Sequence, residues 1–267
     1  MMKLCCSSPM VPGDSLTEKA EKLARWGYEA IAVFEPLETW NDASSAELVD
    51  LEGRTGVKPV EFVLQDEVYG KAMSLDPALR EQCRDMYRRS AEVCAEIGAV
   101  MEIEYEYGSQ DPLPLFDPYQ QLTADQRDAF VAFYRELLIH VEGSRARVLL
   151  EPINRYESRY LNCVIDNLAV IEEAAHPQAG LLPDLFHLSI EEGDPAASLR
   201  GAGDQVAHVH LGDSNRLLPG SGHLDWPSII EALRDIRYDG YLNLECSTEG
   251  DPEKSLPATA RFLRDLL

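Results

Sequence analysis

Apolar and polar positions along the chain follow two alternating rhythms. Short runs with strand character are each followed by a longer stretch whose apolar residues recur every three or four positions. Residues 3–6 read as a strand and 15–26 as a helix, with Asp14 or Ser15 as its cap and Gly27 as its stop. A strand at 29–34 precedes a helix at 43–55, which again runs into a glycine, Gly56. The third strand, 58–64, leads to a long helix at 77–97, opened by Asp76 and Pro77 and closed by Gly98. Strand 100–107 passes into a proline-rich loop through Pro118 and then a helix at 123–142. Strands at 147–151, 181–184, 206–211 and 241–246 alternate with helices at 162–175, 195–200, 226–236 and 257–267. Eight pairs in strict alternation predict a parallel sheet with crossover helices. Within 267 residues, and with no linker between halves, they favour one (β/α)₈ TIM barrel spanning residues 1–267. No GxGxxG or P-loop follows any strand, which argues against a dinucleotide fold.

Composition narrows the setting. No stretch approaches the ~18 continuous apolar residues of a membrane span. The start of the chain has no room for a signal-peptide core before Ser7-Ser8-Pro9, so a cytoplasmic protein is expected. The cysteines (Cys5, Cys6, Cys83, Cys94, Cys163 and Cys246) form no CxxC or zinc-finger spacing and read as thiols in a reducing compartment. A net charge of −23 repels phosphate backbones and anionic lipid, so neither nucleic acid nor membrane is an expected partner. Divalent cations and neutral sugars remain.

Chemistry gathers at the ends of the later strands. In a barrel of this kind the C-terminal strand ends converge on one mouth, where the active site is expected. Strand five ends at Glu151, strand six at Asp184, strand seven at His210 and strand eight at Glu245. A single strand-end acid is commonly a helix cap or a solvated loop residue, and a single strand histidine is commonly a satisfied core residue. Here four successive strands each bring one donor to the same rim. Three carboxylates and one imidazole suit Mn²⁺, Mg²⁺ or Co²⁺ better than a thiolate-seeking ion. His208 and His210, two apart, point to one side of the strand. His210, nearer the mouth, is the expected ligand, and His208 is expected to be structural.

These segments resemble the xylose isomerase-like sugar isomerase/epimerase superfamily. The likeness is carried by Glu151-Pro152-Ile153-Asn154-Arg155-Tyr156-Glu157, Asp184-Leu185-Phe186-His187 and His208-Val209-His210 through Asn215-Arg216. It continues in Leu218-Pro219-Gly220-Ser221-Gly222-His223-Leu224-Asp225-Trp226 and in Tyr238-Asp239-Gly240-Tyr241-Leu242-Asn243-Leu244-Glu245. The pattern is most similar to ketose 3-epimerases of the tagatose/psicose type. The resemblance implies one divalent ion, Mn²⁺ before Mg²⁺ or Co²⁺, held by Glu151, Asp184, His210 and Glu245. It implies that Glu151 and Glu245 are also the proton-transferring pair, and that Glu157, His187 and Arg216 hold a small sugar. A homo-oligomer is compatible with it.

The first half departs from that pattern. Strand four reads Met101-Glu102-Ile103-Glu104-Tyr105-Glu106-Tyr107, apolar alternating with acidic. A half-exposed strand would put its acids in water. Both faces of a barrel strand are normally covered, so Glu104 or Glu106 is expected to approach the mouth from inside. The following loop, carrying Phe116, is then expected to lie over the substrate. Other activities use the same barrel. Endonuclease IV needs a histidine-rich three-zinc site and a basic surface, which this chain lacks. Inosose dehydratases and hydroxypyruvate-type isomerases share the first chemical step, and a non-catalytic sugar-binding barrel would have no reason to keep an acid/base pair.

Overall fold

The computed structural model describes residues 1–116 and 120–267, so the end of the loop expected to run through Pro118 lies outside the described residues. Among the described residues eight parallel strands make one sheet: β1 (Lys3–Ser7), β2 (Ala30–Pro36), β3 (Lys58–Gln65), β4 (Val100–Ile103), β5 (Arg147–Leu150), β6 (Ala179–Leu181), β7 (Val209–Leu211) and β8 (Tyr241–Leu244). Their order is β6-β5-β4-β3-β2-β1-β8-β7. The ring closes between β6 and β7 through single bridges, Leu181 to Val206 and Asp184 to His210. This is the expected TIM barrel.

The helices are α1 (Leu16–Trp26), α2 (Asp42–Thr55), α3 (Pro77–Ile97), α4 (Ala124–Val141), α5 (Val164–Ala174), α6 (Leu185–Glu191), α7 (Pro195–Ala202), α8 (Trp226–Asp235) and α9 (Pro252–Leu266). None among the described residues is long and apolar enough to cross a membrane. Ser15 rather than Asp14 caps α1, accepting from the backbone N–H of Glu18. α6 was not apparent in the sequence pattern: it has only seven residues, about two turns, too few for a helical period to show. α9 starts at Pro252 behind its cap Asp251, which leaves Pro257 inside the helix rather than at its first turn.

The barrel separates two kinds of core. Outward-facing strand residues such as Leu4, Val33, Phe62, Met101, Val148 and Leu242 pack against the helices in the main apolar core. Inside, a small apolar plug of Cys5, Ala30, Ala32, Phe34, Val60 and Val63 fills the side of β1 to β3. The rest of the interior is polar. Glu61, Glu102, His208, His210 and Asn243 are all buried. A bulge places one of them. Ile31 pairs with Pro59 but Ala32 pairs with Glu61, so Val60 is an extra residue. The shift turns Glu61 to the inner face beside Ala32, as bulges near functional sites commonly re-aim a side chain.

Strand four is shorter than the 100–107 reading. After Ile103 the chain leaves the ladder: Tyr105 packs tilted against Phe130 and edge-on against Tyr160, and Tyr107 N–H donates to Gly70 O at 3.3 Å. Glu102 and Glu104 both stay buried, whereas Glu106 sits at the rim and accepts from Arg159 N–H at 2.8 Å. Gly108 and Gln110 fasten the next loop to the backbone of Glu157 and Tyr156. Phe116 is 98% exposed.

Candidate active site

Glu151, Asp184, His210 and Glu245 meet at the C-terminal mouth. One ligand atom from each lies within 4.8 Å of the others. Each arrives by local structure. Glu151 follows β5 and its N–H donates to Ile103 O, and Glu245 follows β8 with its N–H on Leu211 O. Asp184 caps α6: its Oδ1 accepts from Phe186 N–H at 2.7 Å and His187 N–H at 3.3 Å, leaving Oδ2 for the site. The sequence reading set helix cap and ligand against each other as alternatives. The geometry allows both, one oxygen each.

His210 is oriented from behind. Its Nε2 is 3.0 Å from each oxygen of Glu61, which also accepts from Asn243 Nδ2 at 3.2 Å. An imidazole whose Nε2–H donates to a carboxylate presents Nδ1 forward, the arrangement that fixes metal-binding histidines. Nδ1 faces Glu245 Oε2 at 3.2 Å and Glu151 Oε1 at 3.8 Å. Burial opposes charge on this ring, but the carboxylates of Glu61 and Glu245 outweigh it and raise its pKa. Burial likewise pushes Glu151 up, helped by the Glu102 carboxylate, whereas His210 and Arg216 outweigh burial at Glu245 and hold it down. His208 Nε2 lies one layer deeper, 3.3 Å from Glu61 Oε2.

The site fits a cation. His210 Nδ1 and Glu151 Oε1 are buried and have no hydrogen-bond partner. A buried donor set left unsatisfied needs an explanation, and three carboxylates with one imidazole match an oxygen-preferring divalent ion.

The remaining sequence candidates surround this centre. Arg216 donates to Asp184 Oδ2 at 2.7 Å and to Glu245 Oε2 at 2.9 Å, with its guanidinium over the Phe186 ring. It adopts a positive φ of 60°, an uncommon conformation for a residue other than glycine. Asp213 holds it there. The Asp213 carboxylate accepts from the N–H groups of Ser214, Gly220 and Leu224 and from Trp226 Nε1, while its carbonyl accepts from Arg216 N–H. A Cβ at Gly222 would collide with that carboxylate. His187 Nδ1 faces two donors of Asn154, the backbone N–H at 3.3 Å and Nδ2 at 2.7 Å. That assigns the ring proton to Nε2, which points to Glu151 Oε1 at 3.9 Å. Burial lowers the His187 pKa, and Arg216 Nη1 stands 3.5 Å from the same Nε2. Glu157 Oε1 accepts from Asn154 Nδ2 at 2.8 Å and keeps its other oxygen.

Glu61, Asn154, Asp213 and Asn243 escaped the sequence reading. Asn154, Asp213 and Asn243 carried a signal, since all three lie inside the quoted motifs. Glu61 stands in an apolar run and its direction depends on the bulge.

Known proteins resemble the chain in the same way. A D-psicose 3-epimerase of Enterocloster bolteae is 40% identical over 111 residues, covering 42% of this chain and 37% of that protein. An L-ribulose 3-epimerase of a Methylomonas species is 28% identical over 193 residues, covering 72% and 66%. The matched segments thus span from about a third to about two thirds of these relatives' own length. Among solved structures, the Escherichia coli 3-keto-D-glucoside 4-epimerase superposes with a TM-score of 0.85 at 22% identity, covering 99% of this chain and 100% of that one. A D-allulose 3-epimerase from a Methylomonas species superposes with a TM-score of 0.82 at 23% identity, over 100% and 98%. At these identities the superpositions show the fold. The xylose isomerase-like TIM barrel model matches residues 20–266, nearly the whole chain, and the chain belongs to that family.

Proposed function

We propose that this protein is a divalent-metal-dependent ketose epimerase that inverts a stereocentre beside a ketose carbonyl. The observation that carries the reading is the convergence of Glu151, Asp184, His210 and Glu245, with His210 Nδ1 and Glu151 Oε1 buried among them and making no hydrogen bond. The epimerase relatives favour inversion over elimination of water or aldose–ketose transfer, although all three begin with the same proton abstraction.

Glu151, Asp184, His210 and Glu245 would hold the ion, with Mn²⁺ the first choice for this donor set. When bound, it supplies a Lewis acid that polarises the substrate carbonyl. The chain's own groups do the rest. Glu151 and Glu245 follow strands three steps apart around the ring, so their carboxylates reach the sugar from different sides. One, ionised, removes the proton from the carbon beside the carbonyl. The other, entering the turnover as the carboxylic acid, gives its proton to the opposite face, so that the pair ends with protonation states exchanged and resets through solvent. His187 donates its Nε2–H to a sugar oxygen, and Glu157 accepts from a hydroxyl. Arg216, tied to Asp184 and Glu245 in the ion-free geometry, orients the carboxylates and offers its other N–H groups to the sugar. Glu61 positions His210. Burial of Glu151 suits a base, because its carboxylate has little water to shed before taking a proton. We place the enzyme in the cytoplasm on its cysteine usage.

The test is direct. Protein purified without chelator should carry bound Mn, Mg or Co, and the metal-loaded enzyme should interconvert C3 epimers of ketoses, with D-psicose and L-ribulose as first substrates. Metal-free protein that takes up no ion on titration contradicts the proposal.

A further inference from the structure

Beside the four-residue centre lies a second group of buried acids, and we infer that Glu102, Glu104 and Glu151 hold a second divalent cation, with Glu151 shared between the two. The inference rests on the metal reading of the first site. One oxygen from each of the three lies within 4.8 Å of the others, and all three side chains are buried.

The acids around this trio have cationic partners. Asp184 and Glu245 have Arg216, and Glu61 has His208 and His210. Glu102, Glu104 and Glu151 face less positive charge. Among the described residues, His210 Nδ1 stands 3.8 Å from both Glu102 Oε2 and Glu151 Oε1, and His187 Nε2 stands 3.9 Å from Glu151. Tyrosines supply part of what is missing. Tyr69 Oη lies 2.9 Å from Glu102 Oε1 and 2.8 Å from Glu104 Oε1, and Tyr87 Oη donates to Glu104 Oε2 at 3.1 Å. A phenol has one proton to donate, so Tyr69 can serve only one of its two neighbours at a time. Glu102 Oε2 has no hydrogen-bond partner, although its side chain is only 6% exposed. Glu151 Oε1, which also faces the first centre through His210 Nδ1, has none either. Leaving charged oxygens bare inside a protein is costly unless a cation or a proton answers them.

The two arrangements fit together. A carboxylate has two oxygens and can bridge two ions, as in paired-metal sites. Glu102 lies on β4 and Glu104 just past its end, next to Glu151 just past the end of the neighbouring β5, so the second position flanks the first rather than displacing it. An all-oxygen set of three carboxylates selects Mn²⁺ or Mg²⁺ over thiolate- or imidazole-seeking ions.

Titration of the chelator-treated full chain with Mn²⁺, followed by calorimetry and electron paramagnetic resonance, decides the matter. The expected result is two ions per chain, with spin coupling between them as the second is added. Glu102→Gln and Glu104→Gln should each weaken the second ion by roughly 10- to 100-fold or more and abolish the coupling, with the first ion retained. The wild-type count stands even if a variant fails to fold. A single uncoupled ion in the wild type overturns this inference and leaves the proposed function intact, with protons then held by Glu102 and Glu104. No ion at all overturns both.

Discussion

The two halves of the barrel build the site in different ways. From β5 to β8 each strand ends on a donor, and the loop after it locks that donor with helix caps, an Asn154 turn or the Asp213 knot. From β1 to β4 no strand end delivers a residue of the four-donor centre. That half works from inside: Glu61 grips His210, Asn243 and Ser7 connect β8 to β1, and Glu102 and Glu104 crowd Glu151. The proposed reacting groups thus come from strand ends, which loops can vary, while Glu61 and Glu102 sit within strands, where the barrel fixes them.

Breaking the late half should have the largest effect. Glu151→Gln and Glu245→Gln keep the shape and one oxygen donor but remove the base. Turnover with saturating Mn²⁺ should fall by roughly 10²- to 10⁴-fold while some metal binding survives. Near-normal rates in either metal-loaded variant would mean that these carboxylates only hold the ion. Breaking the early half should act through the ion instead. Glu61→Gln leaves His210 a weaker acceptor behind it, and Mn²⁺ affinity should drop by about 10- to 100-fold with much of the rate recovered at high Mn²⁺. An unchanged binding isotherm would remove Glu61 from the account.

A smaller effect is expected where the late half is locked rather than reactive. Asp213→Asn keeps one acceptor oxygen where four N–H groups converge, at a cost of about 1–3 kcal/mol in unfolding free energy, with KM raised through Arg216. Burial opposes the charge on Asp213, but Trp226 and the backbone donors lower its pKa. The unfolded chain therefore binds the proton more readily, and the stabilisation is present above the ordinary aspartate pKa of about 3.9. It is lost as the pH falls through the folded-state value. The gap between wild type and variant in denaturant melts should narrow in acid, and a gap independent of pH would contradict the carboxylate role. The smallest change should come from Phe116→Ser. Its exposure predicts a stability change within about 0.5 kcal/mol, and a rise in KM without loss of stability would show that the loop closes on the sugar.

The same contrast explains what was legible in the sequence. The barrel could be read because hydrophobic rhythm and glycine stops mark each β/α pair locally. Glu151, Asp184, His210 and Glu245 could be singled out because each ends an apolar run, and parity alone says which way a strand-end residue faces. Glu61 could not. A bulge at Val60 reverses its parity, and a bulge depends on pairing with β2, which no local pattern records. Strand four was read four residues too long because Glu104 to Tyr107 keep the alternation after leaving the ladder; their fixing contacts come from Gly70, Phe130 and Tyr160, far away in the chain. α6 is too short for a helical period to show, and only the cap at Asp184 announces it.

The central claim is that Glu151 and Glu245 move a carbon-bound proton between the two faces of a ketose. The most direct measurement is solvent exchange: metal-loaded wild type, Glu151→Gln and Glu245→Gln incubated with each of two C3-epimeric ketoses in D₂O, with deuterium located by NMR. The account predicts deuterium at C3 of both epimers with the wild type. It predicts that each variant exchanges at most one of the two epimers and interconverts neither. Epimerisation by the wild type without solvent deuterium at C3, or exchange by both variants at the wild-type rate, would contradict it.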